Sequence, residues 1–423
     1  MFKVIETFSG LGAQAKALER IGIDHVIVNT CDWDMAAILA YCLIHRQEIP
    51  LDKYASVSDE EILKFLMSKT LSMDGKKPVN NNIINRVSDE LKRLLYVAIK
   101  ETNNLVSITD VKGTDIPEDI DLLTYSFPCQ DLSMCGYWHG NKSGISREAH
   151  NRSGMLWEVE RILNEMYETG RRLPHFLVME NVTNILSLTH KADFDAWKNT
   201  LELLGYYNKI YRLNARDFGV PQKRERAYMV SILCNQDIMK YMRVCQYFDE
   251  HNLQDSKVAA RYSERKFSLK DVLRLDYSSD IYRQEADANQ PNDTPSREKI
   301  LLGNDMLFDG HTINEICVNT VTTRQDRNPN SGLITYHNGK PGKTKWRYLT
   351  PRECFILMGF DEVDYSNIIQ CNPEYYAGKR LFTNEKLVKL AGNSICVDVL
   401  EAVFKQIIEI SKLIYVDADI TYN

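Results

Sequence analysis

Short apolar runs alternate with amphipathic stretches through the first half of the chain. Residues 4–8 form an apolar run that stops at Ser9-Gly10, which predicts a buried strand. Ala13, Ala17, Leu18 and Ile21 then share one face of a helix. Residues 26–29 predict a second strand, and 122–125, 176–180 and 228–233 predict three more. Strands separated by helices imply an α/β fold, a parallel sheet with helices on both faces.

The rhythm breaks twice. Residues from about 45 to 105 look like a helical insertion: Ser58-Asp59-Glu60-Glu61 is a capping-box sequence, and Leu91, Leu94, Leu95 and Ala98 mark a second helix. No chemistry is legible there, and the segment reads as scaffold. From about 235 to 314 periodicity weakens and polar residues rise, with 287–295 predicted as a loop, so a separate, irregular domain is expected. Helical patterns return after Thr350, and Val397, Leu400, Phe404 and Ile407 predict a long amphipathic helix. The boundaries this suggests are 1–233, 234–375 and 376–423, the last completing the first.

Composition narrows the class. The chain has 423 residues, 44% hydrophobic and 26% charged, as in a folded globular protein of two or three domains. The ten cysteines include no C-x-x-C pair, so no metal site is expected, and they read as reduced thiols of a cytoplasmic protein. No signal peptide opens the sequence, and no run approaches the roughly 18 apolar residues of a membrane helix. A net charge of −6 argues against nucleic acid, but its distribution is uneven. Between 321 and 352 stand Arg324, Arg327, Lys340, Lys343, Lys345, Arg347 and Arg352 with one acid, Asp326, which reads either as a solvated loop or as a phosphate-attracting stretch.

Five clusters carry chemistry. Phe8-Ser9-Gly10-Leu11-Gly12 sits between a strand and a helix, where glycines let backbone N–H groups approach a ligand; an ordinary turn would look the same. The next strand ends at Cys31-Asp32-Trp33-Asp34, placing an acid where a ribose is bound and a tryptophan able to stack on adenine. Ser126-Phe127-Pro128-Cys129-Gln130 follows a strand end, where Cys129 can be exposed and reactive rather than a structural thiol; the polar segment 131–152 after it looks like a lid. Glu180-Asn181-Val182 ends another strand, and partial burial would push the Glu180 pKa upward, suiting proton donation. Finally, in Gln222-Lys223-Arg224-Glu225-Arg226 the two arginines fall on one side of a strand start and invite a carboxylate, carbonyl or phosphate.

In this order the blocks resemble the C5-cytosine-specific DNA methyltransferase family of bacterial type. F-S-G-L-G, the acid–Trp pair, P-C-Q, E-N-V and Q-K-R-E-R are followed by R-Y-L-T-P-R-E-C-F-I-L-M-G-F (347–360) and A-G-N-S (391–394), with a variable stretch before the last two. The resemblance implies a Rossmann-like S-adenosylmethionine-dependent methyltransferase sheet with a smaller, irregular target-recognition domain. It implies attack on cytosine C6 by Cys129, binding of N3 and the exocyclic amine by Glu180, contact with the base O2 by Arg226, and support from Arg224. The target base would be flipped from the duplex, and the variable domain would read its sequence in the major groove. S-adenosyl-L-methionine would be held by Phe8, Gly10, Leu11, Gly12, Asp32, Trp33, Ile108, Pro128, Asn393 and Ser394. Double-stranded DNA would be met by Gln130, Ser133, Met134, Arg152, Thr320, Arg324 and Arg327. The same resemblance implies the modification enzyme of a restriction-modification system, acting as a monomer, with any cognate restriction endonuclease acting separately.

Two departures stand out. Thr320-Val321 takes the place of the family's Thr-Leu pair, and Ser107-Ile108-Thr109-Asp110 lacks the acid the family often carries before its third-strand cofactor contact, leaving Ser107 or Asp110 for that role. Three other readings compete. A tRNA cytosine methyltransferase of the same fold would lack the domain-sized block 235–314. An idle DNA-binding protein should have lost some of Cys129, Glu180, Arg224 and Arg226. A nicotinamide oxidoreductase would need a G-x-G-x-x-G loop.

Overall fold

The computed structural model describes residues 1–46, 48–128, 152–263 and 265–415. Its centre is a six-stranded sheet in the order β2-β1-β3-β4-β7-β5. The strands are β1 (Phe2–Thr7), β2 (His25–Cys31), β3 (Leu122–Tyr125), β4 (Phe176–Val182), β5 (Tyr206–Asn214) and β7 (Glu225–Leu233), with the two-residue β6 (Gln222–Lys223) outside the sheet. The first four run parallel, whereas β7 is antiparallel to both β4 and β5. The expected all-parallel sheet is therefore corrected at one edge. No helix crosses over between β5 and β7; a short 3-10 turn, Ala215–Phe218, and β6 link them, so the chain returns in the opposite direction. The sequence pattern marks no strand at β5, whose mixed polar residues suit an edge.

Side-chain alternation builds two cores. Phe2, Val4, Leu122, Phe176, Val178, Tyr228 and Val230 face one side, and Ile5, Leu123, Leu177, Met179, Ala227 and Met229 the other. The first side is covered by α1 (Ala13–Arg20), α2 (Met35–His45) and a long helix near the C-terminus, the second by helices Leu156–Glu168 and Lys191–Leu203. Ten of the eleven residues of α2, from Met35 to Ile44, are buried, so this helix is apolar all round.

The insertion forms α3 (Asp59–Met67), α4 (Asn81–Arg86) and α5 (Asp89–Glu101). Ser58 and Glu61 make the expected capping box, and Leu91, Leu94, Leu95 and Ala98 are buried in the first core. With the helices at 156–168 and 191–203 as α6 and α7, the helices of the variable region are α8 (Ile238–Glu250), α9 (Ser256–Tyr262), α10 (Leu269–Val272), α11 (Asp280–Ala288) and α12 (Pro295–Leu302). This segment is more regular than its polarity suggests. Val244, Tyr247 and Phe248 of α8 and Val258 and Ala259 of α9 belong to the first core, while Ile300, Leu333, Trp346 and Tyr348 form a small core of their own. The predicted loop 287–295 shrinks, because α11 runs through Ala288 and Pro295 opens α12. A three-stranded sheet of β8 (Met306–Phe308), β10 (Leu333–Thr335) and β11 (Trp346–Tyr348) packs on that small core, and β9 (Val318–Asn319) pairs with β6. The chain then returns through α13 (Pro351–Leu357), α14 (Glu362–Gln370), α15 (Asn384–Asn393) and α16 (Val397–Ile414), the expected C-terminal helix.

Candidate active site

Parallel strands deliver their C-terminal ends to one edge of the sheet, where α/β enzymes bind ligands. After β1, Phe8, Gly10 and Gly12 all adopt positive φ, and Gly12 is obligatory: a Cβ there would stand 2.2 Å from His45 Nε2 and 2.6 Å from Tyr41. The imidazole lies 3.0 Å from the Leu11 carbonyl, and burial lowers its pKa to about 4, so neutral His45 donates Nε2–H to that oxygen. After β2, Asp32 accepts the Gly10 amide on one oxygen and the Asp34 amide on the other, both at 2.9 Å. Burial raises the Asp32 pKa to about 6, against the pull of those amides. Phe8 and Trp33 are partly buried and pack at the margins of the two cores. Two of the predicted cofactor turns are thus tied to each other by a hydrogen bond.

Ile108 is buried beside them, and its carbonyl accepts from Arg161. Of the two residues left open for the missing family acid, Ser107 is buried and pairs with the Thr109 hydroxyl at 2.7 Å, whereas Asp110 is exposed one turn away.

On β4, Glu180 is buried, and desolvation pushes its carboxyl upward in pKa while Arg226 and Arg224 pull it down. Arg226 Nε lies 3.4 Å from Glu180 Oε1. The adjacent Asn181, to which the sequence pattern assigns no role, donates to the Phe127 carbonyl at 3.1 Å and so anchors the segment leading to Pro128.

The two arginines do not share one role. Arg224 is buried and donates to the carbonyls of Val321, Ser394 and Gly392 at 2.8, 2.7 and 3.1 Å. It is a tie between three distant stretches of chain. Gln222 works beside it, accepting the Val321 amide and donating to the Leu357 carbonyl. Thr320 donates to the Lys223 carbonyl, which seats Thr320-Val321 on the Q-K-R-E-R block. Gly392 closes the junction, since a Cβ there would stand 2.4 Å from the Thr322 backbone. Asn393 is exposed at the end of α15 and Ser394 is buried next to it.

The basic stretch divides in the same manner. Arg347 is fully buried in a two-pronged pair with Glu353, 2.8 Å on each arm, and Arg352 is buried against Glu285 and Glu362. Lys340 pairs with Asp287. Neither reading of the stretch, solvated loop or phosphate-attracting, holds for these three, because acids outside the stretch and absent from its local charge balance reach them in the fold. Arg324 and Arg327 are exposed. Cys129, Gln130, Ser133 and Met134 lie outside the described residues, as does the expected lid up to residue 151; of Arg152 the backbone alone is described, at the start of a 3-10 turn.

A buried acid–arginine pair thus stands where β4 ends and β7 begins, and a glycine loop tied to an acidic turn stands at the ends of β1 and β2, the edge of the sheet where α/β enzymes bind ligands. The C-5 cytosine-specific DNA methylase model matches residues 70–409, and the chain belongs to that family. It is 33% identical to the orphan methyltransferase M.SssI of Spiroplasma monobiae, over 96% of this chain and 97% of that one. It is 30% identical to the type II methyltransferase M2.ScrFI of Lactococcus lactis subsp. cremoris, over 96% and 99%. Among solved structures, the S. pombe Dnmt2 methyltransferase aligns with a TM-score of 0.58 at 18% identity, covering 97% of this chain and 99% of that one, a likeness of fold. No helix among the described residues is long and apolar enough to cross a membrane.

Proposed function

We propose that this DNA methyltransferase carries a methyl group from S-adenosyl-L-methionine to C5 of a cytosine flipped out of duplex DNA, within one short sequence. The observation that carries the reading is the facing of buried Glu180 and Arg226 at 3.4 Å, taken with the Gly10–Asp32 tie. Residues 1–233 and 376–423 would supply the catalytic unit and 234–375 the target-recognition unit, the latter built around the small core of Ile300, Leu333, Trp346 and Tyr348.

The residues present fit the cofactor. In the loop 8–12, Phe8, Gly10 and Gly12 take left-handed conformations, and the buried Ser9 hydroxyl has no hydrogen-bond partner within the described protein. Asp32, already holding two amides, keeps lone pairs for ribose hydroxyls. Phe8, Gly10, Leu11, Gly12, Asp32, Trp33, Ile108, Pro128, Asn393 and Ser394 would hold the group, which when bound supplies an electrophilic methyl. The chain's own residues do the rest. The Cys129 thiolate attacks C6, forming an S–C6 bond and driving electrons toward C5. Glu180, whose carboxyl burial pushes upward in pKa, binds N3 and the exocyclic amine and offsets the charge that develops on the ring; Arg226 does the same at O2. Once C5 carries the methyl group, loss of its remaining proton restores the C5–C6 double bond as the S–C6 bond breaks and the thiolate leaves.

Exposed Arg324 and Arg327, with Thr320, Gln130, Ser133, Met134 and Arg152, would meet the DNA. The protein would act as a monomer in the cytoplasm, and any restriction endonuclease would act separately. Transfer of labelled methyl to mixed genomic DNA and, in parallel, to total tRNA, followed by bisulfite sequencing, tests the reading. Label in DNA at cytosines of one motif supports it. Label in tRNA alone replaces the substrate, and label in neither leaves a binding protein.

A further inference from the structure

The insertion reads as scaffold in the sequence, yet one of its loops lies against the proposed cofactor turn. Ser72 is fully buried; its amide donates to the Trp33 carbonyl at 2.8 Å, and its carbonyl accepts the Met35 amide at 2.9 Å. Backbone on both sides of Asp34 is thereby fixed by the insertion. The Asp34 carboxylate is fixed from another direction: Lys386 and Lys389 of α15 each lie 3.6 Å from one of its oxygens. The same two ammonium groups donate to the Met73 and Asp74 carbonyls of the insertion loop. Gly75, at φ 62°, passes over Asp34 so closely that a Cβ would stand 3.2 Å from Oδ2. The loop holds its own shape through the Ser72 hydroxyl, which donates to the Lys77 carbonyl at 2.7 Å, and through Asp74, which accepts the Lys76 amide at 2.9 Å.

These contacts form a continuous chain. Lys386 and Lys389 hold Asp34, the Asp34 amide holds Asp32, and Asp32 holds the Gly10 amide of the glycine loop. The helix that supplies the lysines ends at Asn393, followed by Ser394, two more of the residues proposed to hold the cofactor. The insertion loop therefore joins the turn after β2 to α15.

We infer that the loop 71–79, through Lys386, Lys389 and Asp34, is a positioning device for S-adenosyl-L-methionine: it presets Asp32 and the width of the cofactor pocket. The inference rests on the proposed cofactor site. Groups that orient a binding residue through a further layer of contacts act on affinity and pre-organisation without touching the ligand. Lysine keeps its stem in apolar contact, so replacing both ammonium groups by methionine side chains removes the charge and largely keeps the packing.

The test is direct binding of S-adenosyl-L-methionine by titration calorimetry, with turnover and DNA affinity measured on the same proteins. For Lys386→Met/Lys389→Met the expected result is a rise in cofactor Kd of about tenfold, with kcat at saturating cofactor and the DNA Kd both within about twofold of wild type. Lys386→Arg/Lys389→Arg should recover most of the affinity, and Gly75→Ala, whose Cβ presses on Asp34 from the insertion, should weaken binding in the same direction. A cofactor Kd within about threefold of wild type in the methionine variant overturns the inference. So does a parallel fall in cofactor affinity, DNA affinity and kcat, which marks a general structural support. Failure of the wild-type chain to bind S-adenosyl-L-methionine at all overturns the proposed cofactor site instead.

Discussion

Arg226 Nε faces Glu180 Oε1 at 3.4 Å across the antiparallel pair of β4 and β7, where Val182 stands opposite Arg226 in register. A tight charge-assisted pair closes to about 2.7–2.9 Å. Here the two heads confront each other without closing, because Arg226 also donates to the Glu225 carbonyl and Glu180 is held on a different strand. Glu180→Gln keeps the shape and removes the ability to hold a proton against the ring. Single-turnover methyl transfer is expected to fall at least about tenfold, with DNA affinity little changed. An unchanged rate would make Glu180 a structural residue.

Cys129→Ser replaces the nucleophilic sulfur by a hydroxyl that is not ionised at neutral pH. Methyl transfer should be abolished while DNA binding, read by gel shift, persists. Near-wild-type turnover would remove Cys129 from the chemistry.

Arg224 has a different phenotype in store. Its guanidinium serves three carbonyls from inside the protein, so Arg224→Met strands all three. The expected loss is about 3–5 kcal/mol of unfolding free energy, seen in urea denaturation. A variant that keeps wild-type stability and loses activity alone would instead put Arg224 in contact with substrate.

Glu6, on β1, is fully buried, and burial pushes its carboxyl up to about 7 against the opposing Tyr41 hydroxyl and Ala15 amide. A raised carboxyl binds its proton more tightly in the folded chain than in the unfolded one. Its contribution to stability is therefore fully present below pH 4.5, the ordinary value, and is lost as pH rises through 7. Glu6→Gln should be more stable than wild type at pH 8, by up to about 3 kcal/mol, and the advantage should shrink toward zero as pH falls to about 5. A gain that does not vary with pH contradicts this.

The exposed and the buried arginines can be separated by salt. Arg324→Ala/Arg327→Ala should reduce the slope of log binding constant against log salt by about two, since each arginine would neutralise one phosphate. Arg347→Met, whose partner Glu353 would be left buried and unpaired, should act on stability and leave that slope unchanged in whatever protein folds.

Much of the site is legible in the sequence because its parts are local. The glycine loop, the acidic turn and the strand ending in Glu180 each declare themselves by a few adjacent residues, and the periodicity of 397–407 marks the last helix. Other parts are relations between distant residues, which a linear pattern does not carry. Nothing near Arg224 announces that its partners are the carbonyls of Val321, Gly392 and Ser394, and a backbone acceptor has no sequence signature. Arg352 looks like a phosphate ligand because Glu285, which neutralises it, lies 67 residues away. The strand β5 escapes the pattern because an edge strand exposed on one side mixes Asn, Lys and Arg into its run. The variable region looks irregular because its helices are short; what orders α8 and α9 is packing against the first core and α16.

The first core also governs how the protein is made. The helix α1 is covered by α16, where Arg20 reaches Glu401, 381 positions on, at 3.2 Å. Partners this far apart in sequence meet late in folding. A polypeptide that stalls before residue 397 would lack the cover of α1 and present that apolar face to chaperones and proteases.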